Sequence, residues 1–272
     1  MMNPTVVVSS LAVTLIAGLS TGIGGLISMF QKRSSSRFLA VSLGFSAGVM
    51  VYLSFMEILP EGLHYLSKSF STSTASVINL LSFFFGILII ALIDRFVPSA
   101  DNPHEIPDVK NMLENCSDKH TERCLMRTGV LTAVAIAVHN IPEGLATFTS
   151  FMADTQLGIS IAIAIAIHNI PEGIAVAVPI YFATGNRRRA LLISLLSGLS
   201  EMIGALLGLA LFSIFHTDTM LGMVMASTAG IMIYISFDEL LPTAEKYGEH
   251  HLAIYGVLGG MAVMAVSLHL LG

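Results

Sequence analysis

His139-Asn140-Ile141-Pro142-Glu143-Gly144 and His168-Asn169-Ile170-Pro171-Glu172-Gly173 repeat one hexapeptide 29 residues apart, each inside a run built from Ala, Ile, Leu and Val. A histidine and a glutamate at i and i+4 stand about one turn apart on one helix face. Two such helices side by side offer two imidazoles and two carboxylates to a shared ion. The apolar flanks place this metal-ligand chemistry inside a membrane.

The rest of the chain supports that setting. Of 272 residues, 54% are hydrophobic and only 11% charged, a balance outside the range of soluble domains. Apolar segments long enough to cross about 30 Å of hydrocarbon predict an all-α integral membrane protein. Its eight transmembrane helices are expected at about 5–30, 38–60, 75–97, 128–152, 157–182, 190–215, 220–242 and 252–271, as one polytopic domain with a cytoplasmic loop over 98–126. With the N-terminus outside, the loops facing the cytoplasm hold 12 of the 13 Lys and Arg residues, including Lys32, Arg33, Arg187, Arg188 and Arg189. Only Lys68 falls on the other side. The positive-inside rule then predicts a multi-pass protein of the cell's inner (plasma) membrane with both termini outside the cytoplasm. The first apolar stretch has no basic n-region and no small-residue cleavage site before Gln31, so it reads as a retained helix.

A second repeat concerns architecture. Ala47 to Pro60 matches Ala229 to Pro242 at nine of 14 positions, and Gly18-Leu19-Ser20 and Ile23-Gly24 reappear as Gly198-Leu199-Ser200 and Ile203-Gly204. Helices 1 and 2 thus correspond to helices 6 and 7, which run in the opposite direction in the expected topology. This is an inverted repeat, a plan of secondary transporters whose sites lie near the midplane between the halves. With the twin motif between the halves, the arrangement is 3+2+3, although helices 3 and 8 show no usable sequence match.

On a helix with 100° per residue, Glu143 lies between His139 and Asn140, so one carboxylate can bridge neighbouring ions. Pro142 and Pro171 cannot donate to the carbonyls of Val138 and Ile167. A charged side chain at the bilayer centre costs about 2.5–3.5 kcal/mol on insertion scales. Glu57, Glu143, Glu172 and Glu201 have no Lys or Arg deep in a helix to balance them. A divalent cation does so directly; polar glue between helices would instead need the glutamates protonated.

These residues resemble the ZIP (Zrt/Irt-like) divalent metal transporters, in particular the bacterial ZupT type, along essentially the whole chain. The resemblance implies uptake of divalent metal into the cytoplasm through a binuclear midplane site on helices 4, 5 and 6. One metal would use His139, Glu143, His168 and Glu172. The other would use Asn140, Asn169, Glu172 and Glu201, with Glu143 able to bridge. Met50 matches a metal-contacting methionine of helix 2, against a competing role as core filler. The resemblance also implies that helices 1, 4, 5 and 6 move against helices 2, 3, 7 and 8.

Mixed nitrogen and oxygen ligands suit zinc, iron(II), cobalt, manganese or cadmium, and the lack of thiolates at membrane depth argues against copper(I). The metal is cargo, with no catalytic cofactor. The expected partners are divalent metal ions, the lipid bilayer and a second copy of the chain, with no nucleic acid. A metal-selective channel is the alternative reading, and an intramembrane metalloenzyme a more distant one. Its His-Glu-x-x-His pattern is absent, as is the phosphate-binding Gly-x4-Gly-Lys-Ser/Thr. Glu57 and Glu239 either line opposite ends of the pathway or are solvated helix ends. His104, Cys116, His120 and Cys124 resemble a loop cluster that holds or senses metal.

Overall fold

A computed structural model describes residues 3–30, 36–96, 119–214, 217–247 and 250–271. Among them the chain is helical with no strand. Helix α1 spans Pro4–Phe30. Helix α2 joins Ser36–Leu53 to Leu59–Ser67 through a π-helical turn at Ser54–Ile58. Next come α3 at Thr72–Phe96, α4 at Lys119–Ala153 and α5 at Thr155–Thr184. Helix α6 joins Arg187–Gly198 to Glu201–Ile214 across a two-residue break. Helix α7 joins Asp218–Ile235 to Leu241–Tyr247 through a second π-helical turn at Ser236–Leu240, and α8 spans His250–Leu271.

Among the described residues seven of these helices are long and apolar enough to cross a membrane. The other, α4, has 35 residues and carries the first hexapeptide in its interior. His104 and Cys116, and the side chains of His120 and Cys124, lie outside the described residues.

Helix ends follow local chemistry. The Asp154 carboxylate accepts the Leu157 N–H at 2.8 Å, and the Asn186 side chain accepts that of Arg189 at 3.1 Å, so both are N-caps. Gly185 closes α5 at φ 61°, in the left-handed region that favours glycine.

Three boundaries differ from the sequence expectation. Helix α4 begins at Lys119, within the stretch read as loop. Helices α2 and α7 run past Pro60 and Pro242, where they were expected to stop. In both, an i→i+5 bond, Leu59 N–H to the Ser54 carbonyl and Leu241 N–H to the Ser236 carbonyl, widens the helix just before the proline. Each proline then occupies the first turn of the helix that follows, where its missing N–H is not needed. Both π turns fall at equivalent positions of the Ala47 to Pro60 repeat.

Close backbone approach organises the packing. A Cβ on Gly24 of α1 would run into the Ile170 carbonyl of α5, and one on Gly204 of α6 into the Ile141 carbonyl of α4. Likewise Gly48 of α2 abuts Val257 of α8, and Gly230 of α7 abuts Phe83 of α3. Small residues at such crossings let membrane helices pack backbone to backbone. Leu39, Leu43, Leu53 and Ile58 of α2 are buried with Met225 and Met232 of α7, whereas Val77, Leu81, Phe84 and Leu88 of α3 and Leu258 and Val266 of α8 face outward. An outward surface so apolar suits lipid rather than water.

Candidate metal site

Both hexapeptides sit in the middle of the two central helices, which run unbroken through Pro142 and Pro171. Their side chains converge with Glu201 in the interior. His139, Asn140, Glu143, His168, Asn169, Glu172 and Glu201 are each 0–1% exposed. His139 Nε2 lies 3.2 Å from Glu143 Oε1 and 3.2 Å from Glu172 Oε1, while His168 Nε2 lies 2.9 Å from Glu143 Oε1. Donors around a tetrahedral zinc, with bonds near 2.1 Å, stand about 3.4 Å apart. The His139 contacts to both carboxylates therefore stand close to that spacing. Among the described residues, His139, Glu143 and Glu172 form a group whose ligand atoms all lie within 4.8 Å of one another.

The His168 ring fixes its own chemistry. Nδ1 is 3.2 Å from the Ala164 carbonyl, and a carbonyl can only accept, so Nδ1 carries the proton. In the neutral ring this aims the Nε2 lone pair at the Glu143 carboxylate 2.9 Å away. Two electron-rich atoms at that distance repel unless a cation, a proton or a metal ion, stands between them. The Nδ1–H bond to a backbone carbonyl is the usual outer support of a metal-ligating histidine.

A second group adjoins the first. The Asn169 amide donates to Glu201 Oε1 and, at 3.0 Å, to the Ala17 carbonyl. The Asn140 amide donates to the Ser197 carbonyl at 3.1 Å. Asn169 spends both of its N–H groups on these partners, and Asn140 spends one. Oδ1 of Asn140 and Asn169 and Oε2 of Glu143, Glu172 and Glu201 are buried with no hydrogen-bond partner among the described residues. Five unsatisfied oxygen acceptors in one apolar interior are costly unless a cation gathers them. Glu201 also opens the second half of α6, where the positive end of the helix favours a carboxylate.

Met50 is fully buried in the apolar core, one turn along α2 from Ser46. Glu239 is buried at 6% exposure, which disfavours a solvated helix end, whereas Glu57 is half-buried. Three participants escaped the sequence reading. These are the Ser46 hydroxyl, which donates to Glu172 Oε1 at 2.7 Å, and the carbonyls of Ala17 and Ser197. A serine in an apolar helix and two backbone oxygens carry no pattern of their own; the only hint was that Ser46 lies one turn from Met50.

Comparison with known proteins gives consistent matches. The family model described as ZIP Zinc transporter matches residues 4–268. The zinc transporter ZupT of Clostridium perfringens (strain 13 / Type A) is 52% identical over 276 residues, covering 98% of this chain and 97% of the relative. That of Chlorobium luteolum is 56% identical over 263 residues, with 97% and 98% covered. That of Nitratidesulfovibrio vulgaris is 54% identical over 267 residues, with 96% of each covered.

Proposed function

Because the chain belongs to the ZIP zinc transporter family, of the bacterial ZupT type, we propose that it is a secondary transporter carrying divalent transition metal, zinc foremost, into the cytoplasm. Iron(II), cobalt, manganese and cadmium share the ligand chemistry and are the competing cargo. The observation that carries this reading is the convergence of both imidazoles on the Glu143 carboxylate, with Glu172 beside it, in a fully buried site. The surrounding donors are all neutral nitrogen or oxygen ligands or carboxylates.

The site is read as binuclear. His139, Glu143, His168 and Glu172 take one ion; Asn140, Asn169, Glu172 and Glu201 take the other, with Glu143 able to bridge. Met50 is a lesser contact on the way. The two ions would share carboxylates, so loading one shapes the other.

The architecture is read as eight spans in a 3+2+3 inverted repeat in the cell's inner (plasma) membrane, with both termini outside the cytoplasm. Paired contacts support it. Asn169 to Ala17 and Asn140 to Ser197 are equivalent bonds between equivalent helices. So are the approaches of Gly173 to Thr21 and of Gly144 to Glu201. Gly48 against Val257 and Gly230 against Phe83 extend the correspondence to α8 and α3, the pair that the sequence left unmatched. Two halves with interchangeable contacts favour alternating access, in which α1, α4, α5 and α6 carry the ion against α2, α3, α7 and α8. The apolar rim of α3 and α8 meets lipid or, in a homodimer, a second copy.

The test is uptake of radioactive zinc by proteoliposomes holding the purified protein, with iron(II), cobalt, manganese and cadmium as competitors. Saturable uptake inhibited by these ions is expected. Uptake that rises linearly with zinc without saturating would favour a channel, and no uptake would reject transport.

A further inference from the structure

The geometry points to Ser46 as a positioning residue that sets the Glu172 carboxylate for the ion from across the boundary between two helix groups. The inference rests on the transport reading only for its consequence, since the contact itself is independent of it. Many buried hydroxyls donate to a carbonyl three or four residues back on their own helix. Thr14 does so to Ser10, Ser20 to Ala17, Thr149 to Leu145 and Ser236 to Met232. Ser10 and Ser194 donate to carbonyls of other helices. Ser46 differs from all of these in that its acceptor is a carboxylate. Its hydroxyl leaves α2 and donates to Glu172 Oε1 on α5 at 2.7 Å, with both residues 0% exposed.

The repeat supplies an internal control. Thr228 occupies the position of α7 equivalent to Ser46, and it keeps to its own helix, donating to the Val224 carbonyl at 2.9 Å. The two glutamates of the twin motif are therefore held differently. Glu143 Oε1 faces both imidazoles, whereas Glu172 Oε1 faces one imidazole and the Ser46 hydroxyl. An ion that takes the imidazole lone pairs does not compete with a hydroxyl proton. Ser46 can hold Oε1 before and after loading, leaving Oε2, which has no hydrogen-bond partner among the described residues, for the metal.

Without the hydroxyl, the Glu172 side chain must be ordered by the ion itself, and that ordering appears as lost affinity. A hydrogen bond to a charged group corresponds to about tenfold or more in a binding constant. Because α2 and α5 belong to different groups in the proposed movement, the bond also belongs to one end state and must be released in the other.

The experiment compares equilibrium zinc binding and zinc uptake of the full-length protein carrying Ser46→Ala, Ser46→Thr or Ser54→Ala. Thr is chosen because the equivalent helix face already accommodates Thr228. Ser54→Ala is the control, because its hydroxyl is equally buried on α2 but has no hydrogen-bond partner among the described residues. Ser46→Ala should weaken zinc binding about tenfold and raise the half-saturating zinc concentration by a similar factor. Ser46→Thr should restore both, and Ser54→Ala should change neither. Unchanged binding in Ser46→Ala, or equal losses in the Ala and Thr variants, would overturn the assignment, the second by tracing the effect to packing. If the wild type binds zinc but takes none up, transport fails as the function while the binding comparison still decides the role of Ser46.

Discussion

Replacing Glu143 by Gln is the sharpest test of the site, because it keeps the shape of the side chain and removes only the charge. Glu143 Oε1 touches both imidazoles, at 3.2 and 2.9 Å, so this carboxylate joins the two hexapeptides. A closed four-ligand zinc site is worth ~10–16 kcal/mol, so one ligand accounts for on the order of 3 kcal/mol, or about 100-fold in affinity. The zinc-free melting temperature is the baseline for each protein, because the carboxylate's burial cost is offset by its contacts with both imidazoles. Zinc should separate the two proteins. At a zinc concentration 100 times the wild-type Kd, binding stabilises the wild type by ~2.7 kcal/mol, whereas a site weakened 100-fold gains only about 0.4 kcal/mol. Thermal melting in detergent with and without zinc measures both quantities, and proteoliposome uptake shows whether transport disappears alongside. A Glu143→Gln protein with full zinc stabilisation and wild-type uptake would refute the assignment of this carboxylate to the ion.

Other expectations follow from packing and topology. Gly144→Ala should reduce the folded yield and zinc uptake, because its Cβ would meet the backbone carbonyl of Glu201, while Gly259→Ala, with nothing within 4 Å, should be neutral; equal behaviour of the two in yield and uptake would contradict the close crossing of α4 and α6. In a variant lacking Cys116 and Cys124, single cysteines at Asn3 and Asp154 should react with an impermeant thiol reagent in intact cells and one at Arg188 should not; the reverse pattern would invert the topology. A cysteine pair bridging α4 to α2 or α7 should stop uptake when oxidised and release it on reduction; unchanged uptake across several well-formed bridges would remove the need for movement between the groups.

The sequence made most helices visible because long apolar runs leave few alternatives at membrane depth. What it hid were events of hydrogen-bond register. Pro60 and Pro242 look like helix ends because proline removes an N–H, yet a π turn placed just before each lets the helix continue. Helix α6 looks continuous, yet it breaks at Leu199 and Ser200, so that Glu201 starts a new helix. The hexapeptides were legible because His and Glu one turn apart repeat on neighbouring helices. The carbonyl partners of Asn140 and Asn169 were not, since any residue could supply them. Ser46 was hidden for a related reason: its partner is 126 residues away in sequence.

The correspondence between the halves matters most where it fails. Glu201 follows Gly198-Leu199-Ser200, and Thr21 follows Gly18-Leu19-Ser20, so the two positions are equivalent in the repeat. Helix α1 runs unbroken through Thr21, whereas α6 is interrupted just before Glu201. One half therefore presents a carboxylate at a helix N-terminus, and the other a neutral hydroxyl without a hydrogen-bond partner among the described residues. The same inequality separates Ser46, which reaches Glu172, from Thr228, which stays on its own helix. Two identical halves would make the end states of an alternating-access carrier equal in energy. On the proposed reading, a buried carboxyl group on one side of the pseudo-axis and a hydroxyl brace on the other give the ion different surroundings in each state. A ligand shifts such an equilibrium only through its differential affinity for the two conformations. Glu201 and Ser46 are thus the positions from which a bias between loading and release can arise, although the hexapeptides they adjoin are identical.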